Sequence, residues 1–212
     1  AWLHLMQSAT CRLKAINLFR ILILSIFVLQ AVELAAQNGF EQGYLLRNSG
    51  DTLFGSIRDR KEGFRPKLLK KIEIRMNGKV QRFALKHVQE YAIGGRTYER
   101  HWLKQSRSFP REEYQSIEGI GEQQFLRVVC RGKLSYFQLE FYDVESGALE
   151  FVDLFILTGE TRMIRATQGV FGLKKNALSS YFSAYPQFVE RINANEFKRA
   201  QELVDAFNAI AD

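Results

Sequence analysis

Between KIEIRM and KVQRFAL the chain places Asn77-Gly78, and on either side of that pair apolar and polar residues alternate. Asn-Gly accommodates the two successive positive φ angles of a two-residue hairpin, and alternation with period two gives each strand one dry and one wet face. Leu69 to Met76 and Lys79 to Leu85 are therefore read as a β-hairpin. The same pattern recurs from Gly43 to Ala166. Gly43 to Arg47 and Thr52 to Asp59 flank Asn48-Ser49-Gly50-Asp51, a bend in which Asn48 and Asp51 carry side chains suited to bonding nearby backbone groups. Val88 to Ile93 and Arg96 to Leu103 flank Gly94-Gly95, and Phe125 to Cys130 and Leu134 to Tyr142 flank Arg131-Gly132-Lys133. Leu149 to Leu157 follows Glu145-Ser146-Gly147, and Thr158-Gly159-Glu160 leads into Thr161 to Ala166. Lys104 to Gly121 has no periodicity and reads as a long polar loop. Seventeen Phe and eight Tyr against three Pro suit strands with aromatic packed faces.

After Gly172 the period changes. LKKNALSSYFSAYP reads as a short helix closed by Pro186, and PQFVERINAN as a second that starts on that proline. Phe197, Ala200, Leu203, Val204, Phe207 and Ile210 then recur at three- and four-residue spacing, with Asn195 as the expected N-cap of a third helix. The stripe predicts packing onto the β body; the alternative is a partner-binding or membrane-surface helix. The expected fold class is α+β, mainly β: an antiparallel sandwich or barrel-like body followed by two or three C-terminal helices.

The N-terminal part has a different character. Arg12, Lys14 and Arg20 lead into ILILSIFVLQAV and then ELAAQN, the form of a secretory signal peptide with cleavage after Ala36. The alternative is an uncleaved N-terminal anchor, since Ala15 to Val32 reaches the lower length limit for a span if Arg20 snorkels. The expected organisation is a signal peptide over 1–36, a β-rich domain over 37–172 and a helical segment over 173–212 packed on it. Export points to a periplasmic or outer-membrane-associated protein. Of the two cysteines Cys11 lies in the signal, so Cys130 is left alone and reads as a small hydrophobe.

The formal net charge of +7 falls to about +5 without the signal. Much of it is concentrated in RDRKEGFRPKLLKK, where Arg58, Arg60, Lys61, Arg65, Lys67, Lys70 and Lys71 form a candidate anion-binding segment for an anionic membrane surface or an envelope polymer. The other reading is a solvated connection between strands. Nucleic acid is not expected as a partner, because no aromatic-interleaved basic motif accompanies the charge.

Motifs for chemistry are sparse. No G-x-S-x-G nucleophile turn, P-loop or dinucleotide fingerprint is present, and nothing calls for a cofactor. His87, Glu90, Glu99 and His101 supply ligand types for a two-histidine carboxylate site, but their spacing matches no recognised metal pattern. Trp102, Phe109 and Tyr114 are candidate ligand-binding residues, an aromatic platform for a glycan or peptide. Glu112, Glu113 and Glu118 in the polar loop would be the acids of a glycan hydrolase only inside a concave site.

AAQ at the end of the signal, GYLLRNSGDTLFGSI, YAIGGRTY and LSSYFSAYPQFVERI together resemble a group of exported proteins of Bacteroidetes-type bacteria. That group begins with a glycine-tyrosine strand and a G-D-T hairpin and ends in a short helical yFxxyP segment. The resemblance implies export and a β-rich fold; the group has no assigned activity, so it implies no catalytic residue. The functional expectation is an exported cell-envelope protein acting as a non-enzymatic binding or scaffolding module. The alternative is a hydrolase acting on an envelope glycan or other polymer through the loop carboxylates.

Overall fold

A computed structural model describes residues 39–59, 71–106, 113–143, 145–168 and 172–211. Residues 1–36, expected to be a signal peptide, most of the basic segment, and the loop positions Phe109 and Glu112 lie outside the described residues. The chain divides into a unit up to Glu41, almost all of it outside that set, and a second unit from Gln42 onward. In chain order the strands are β1 (Glu41–Arg47), β2 (Thr52–Arg58), β3 (Lys71–Met76), β4 (Lys79–Ala84), β5 (Val88–Ile93), β6 (Arg96–Ser106), β7 (Glu113–Gln115), β8 (Glu122–Cys130), β9 (Leu134–Tyr142), β10 (Leu149–Leu157) and β11 (Arg162–Arg165). Helices α1 (Lys175–Tyr181), α2 (Pro186–Asn193) and α3 (Ala200–Ala211) follow. The fold is α+β and mainly β, as the alternation and turn residues require.

The strands form one antiparallel system with two parts. Pairings from β6 through β7, β11, β10, β9 and β8 return to β6 and close a six-stranded barrel. From β6 the sheet continues outward through β5, β1, β2 and β3 to β4. Closure pairs every ring strand with two neighbours over part of its length, which reduces the free edge that an open sheet must otherwise protect. Leu103, Leu126, Phe137, Val152, Leu154 and Met163 fill the ring, and Leu45, Ile57, Ile72, Ile74, Tyr91 and Tyr98 form the core of the extension.

The β3–β4 turn is as the sequence predicts, with Asn77 at φ 49° and Gly78 at φ 74°. Lys104 to Gly121 differs from expectation: β6 runs on to Ser106 and β7 inserts three residues that pair with both β6 and β11. A three-residue strand has too little periodicity to be seen in sequence, and its partners are contributed by distant segments.

Strands β9 and β10 are packed on both faces. Val152 and Leu154 point into the ring, while Phe155 and Leu157 pack in the helix-side core with Leu178, Phe182, Phe188, Leu203 and Phe207. Polar pins fix the helices to the sheet: Asn208 Nδ2 donates to the Leu134 carbonyl at 3.1 Å and its Oδ1 accepts from the Leu134 N–H at 2.8 Å. Tyr181 Oη accepts from the Leu157 N–H at 2.9 Å. Two details correct the expectations for this region. Asn195, at φ 60°, terminates α2 and does not cap α3; the Glu202 carboxylate accepts the N–H groups of Lys198 and Arg199 at 2.9 and 3.2 Å instead. Ile210 is 58% exposed, so the buried stripe ends at Phe207.

At the β1–β2 bend the Arg47 N–H donates to the Asp51 carbonyl at 2.9 Å. The Asp51 carboxylate bonds the Ser49 hydroxyl at 2.7 Å and the Arg47 guanidinium at 3.3 Å, so its side-chain contacts are local side chains where backbone groups were expected. Because both contacts are exposed, Asp51→Ala is expected to cost no more than about 1 kcal/mol. A denaturant melt checks this, and a loss of several kcal/mol would mean that the carboxylate has a deeper role.

Arg58 and Lys71 are the two described members of the basic segment. Lys71 is exposed at the start of β3. Arg58 is engaged: its Nε donates to Glu73 at 2.9 Å, and Arg82 Nε donates to the other Glu73 oxygen at 2.9 Å, making an Arg-Glu-Arg ladder across β2, β3 and β4. Burial pushes the Glu73 carboxyl up, but the two guanidiniums outweigh it and hold it below its ordinary value of 4.5. A depressed carboxyl contributes stability above its unfolded pKa and loses it as pH falls through the folded value. Melting temperature should therefore drop below about pH 4.5, and Glu73→Gln should flatten that acid limb. An unaltered limb in the variant would show that other carboxylates set it.

Candidate binding cleft beside strand β6

Strand β6 changes partners along its length. It pairs with β5 over Arg96–Glu99, with β7 over Lys104–Ser106 and with β8 over Thr97–Leu103. Between the β5 and β7 pairings, Arg100 to Leu103 pair only with β8 among the described residues. An open cleft of about 430 Å³ lies beside this stretch, bordered by Asn48, Gln89, Glu99, Arg100, His101, Trp102, Ser116 and Glu118. Residues from both faces of the strand line it, odd-numbered Glu99 and His101 and even-numbered Arg100 and Trp102.

Distant segments build the walls. The β1–β2 bend docks on the turn before β5: the Asn48 N–H donates to the His87 carbonyl at 3.1 Å, and Asn48 Nδ2 donates to the Lys86 carbonyl at 2.8 Å. Arg100 Nη1 then donates to Asn48 Oδ1 and to the Lys86 carbonyl, both at 3.0 Å. Ser116 is held from the other side, where its N–H donates to the Thr161 carbonyl at 2.7 Å.

Glu90 and Glu99 are directly opposite each other on β5 and β6, an arrangement that repels unless a cation intervenes. Arg131, from the β8–β9 turn, bonds both, reaching Glu99 at 2.8 Å. Glu99 Oε1 also lies 3.2 Å from His101 Nε2, and His101 Nδ1 is 3.1 Å from Ser116 Oγ. The Nε2 contact is close but poorly aligned for a hydrogen bond, and that nitrogen is buried. His101 and then Arg131 hold the Glu99 carboxyl below its ordinary range against the opposing effect of burial. The imidazole ring packs edge-on against Phe137, with centroids 4.8 Å apart, so hydrophobic contact as well as polar contact sets its orientation.

A second cavity of about 720 Å³ is bordered by Leu103, Lys104, Tyr114, Glu122, Leu139, Glu140, Phe141 and Val152. Trp102 and Tyr114 thus border different cavities, and Tyr114 is buried in the barrel core. Of the loop acids, Glu118 borders the β6 cleft and Glu113 lies 3.9 Å from Arg162. Among the described residues no three His, Cys, Asp or Glu side chains gather closely enough to hold a metal, and His87 stays exposed on its turn. Burial pushes the Cys130 thiol up, away from the reactive thiolate form.

The sequence points to Trp102, Glu118, Glu99 and His101 as candidates, but not to Asn48, Gln89, Arg100 and Ser116 as site residues. His101 and Ser116 are fifteen positions apart with no motif between them, so no sequence signal joins them. The architecture is a six-stranded antiparallel barrel with a sheet extension and three C-terminal helices. The chain matches no protein-family model, no curated protein and no solved structure in comparison with known proteins.

Proposed function

We propose that the chain is an exported binding module of the cell envelope, and that its ligand is a hydroxyl-rich envelope polymer held across the β6 cleft. The observation that carries this reading is the convergence of Trp102 with Asn48, Gln89, Arg100 and Glu118 on one open surface. An indole offers a flat apolar face to a sugar ring, while amide, guanidinium and carboxylate groups supply donors and acceptors to its hydroxyls. The expectation of export rests on the n-region and apolar core of residues 1–36. The loop-acid hydrolase is the weaker reading, because of the described loop acids Glu118 alone borders the β6 cleft, while Glu113 lies beside Arg162 and borders neither cavity.

The test is calorimetric titration of the purified chain with soluble envelope polysaccharide fragments. Binding is expected in wild type, weakened about tenfold or more in Trp102→Ala, consistent with the loss of an aromatic contact worth about 1.4 kcal/mol. Melting should be little changed, since Trp102 is not part of a buried core cluster. Equal affinity in the two proteins would overturn the assignment of the cleft.

A further inference from the structure

We infer that the β6 cleft is also a hydrolytic site, in which Ser116 and His101 cleave acyl esters carried by the bound polymer and Glu99 positions the imidazole. The inference deepens the binding proposal and rests on it for the nature of the polymer. Its basis is the succession of contacts Ser116 Oγ to His101 Nδ1 at 3.1 Å and His101 Nε2 to Glu99 Oε1 at 3.2 Å, among residues that line a cleft open to a ligand. A serine nucleophile needs a base with its lone pair toward the hydroxyl and a proton on its far nitrogen. The carboxylate beside Nε2 favours that tautomer, leaving Nδ1 to accept from Ser116. Arg131 and Phe137 hold the carboxylate and the ring in place.

In the reaction Ser116 Oγ attacks the ester carbonyl carbon as its proton passes to Nδ1. The bond from that carbon to the sugar oxygen breaks, and the leaving oxygen takes the proton from the imidazolium. Water then adds to the acyl-serine, giving its proton to Nδ1; the serine oxygen recovers that proton as the carboxylic acid departs. The net change is ester plus water to alcohol plus acid.

The experiment treats the full chain with a fluorophosphonate probe, maps the adduct by peptide mass spectrometry, and follows hydrolysis of 4-nitrophenyl acetate and of an acetylated oligosaccharide. The expected result is a single adduct on Ser116, and hydrolysis that falls about 100-fold or more in Ser116→Ala and in His101→Gln. Glu99→Gln should lower kcat with KM retained, a split that a general loosening of the fold would not give. Absence of an adduct on Ser116 in wild type of normal melting temperature, or undiminished hydrolysis in Ser116→Ala, would overturn the inference. Binding without labelling refutes the hydrolytic step alone, whereas labelling without polymer binding refutes the proposed ligand and leaves the esterase chemistry standing.

Discussion

Phe207→Ala is expected to destabilise the protein by about 3–5 kcal/mol, the usual cost of removing a buried aromatic side chain and leaving its cavity. Phe207 has no exposed surface, and its ring lies 5.0 Å, centre to centre, from each of Phe182, Tyr185 and Phe188. Phe182 and Tyr185 lie in the turn between α1 and α2 and Phe188 lies in α2, so Phe207 ties α3 to α2 and to that turn. The same cluster includes Phe155 and Leu157 of β10, so relaxation into the cavity would have to disturb a strand that also supports the barrel interior. Denaturant unfolding measures the loss directly, and an unchanged midpoint would show that α3 does not hold the helices to the sheet.

Gly43→Ala is expected to be comparably damaging for a different reason. Gly43 is opposite Ile93 on β5, and a Cβ built there would stand 1.8 Å from the Ala92 carbonyl oxygen and 3.2 Å from an Ile57 side-chain carbon. Real side-chain carbons do not approach a carbonyl that closely, so β1 would have to move away from β5. The cost should reach or exceed the roughly 3 kcal/mol at the upper end of ordinary overpacking. Hydrogen exchange should report it as lost protection at the β1–β5 amides, with the helix-side amides less affected. Gly50→Ala makes the contrast: at φ 89° with open space around it, only backbone strain of about 1–2 kcal/mol is expected. If Gly43→Ala were the milder of the two, the close approach of the strands would be wrong.

The candidate site was much less legible in sequence than the fold. Trp102 was legible because a large aromatic beside a polar stretch is unusual chemistry on a strand. Ser116 was not, because it sits in a stretch with no periodicity and becomes significant only through the His101 nitrogen it meets. Arg58 misled in the opposite direction: among basic neighbours it reads as a free cation, yet strand pairing sets it against Glu73. Asn48 looked like a turn residue and is one, but its amide also reaches the Lys86 carbonyl and Arg100, making the bend part of the cleft wall.

What the sequence determined by itself is the local grammar: the bends at Asn77-Gly78 and around Gly50, the period-two strands on either side, and the switch to helical spacing after Gly172. These follow from backbone sterics and from side-chain direction along a few consecutive residues, which the chain carries wherever it goes. Only the tertiary structure decided that β6 closes a ring with β7 and β8 while also carrying the sheet extension, that β10 is buried on both faces, and that Glu99, His101 and Ser116 share one cleft. Each of those depends on which apolar faces meet across long stretches of chain, and burial rewards any such meeting in proportion to area and without direction. The choice among meetings therefore falls to shape and register, which exist only once the whole sheet has assembled.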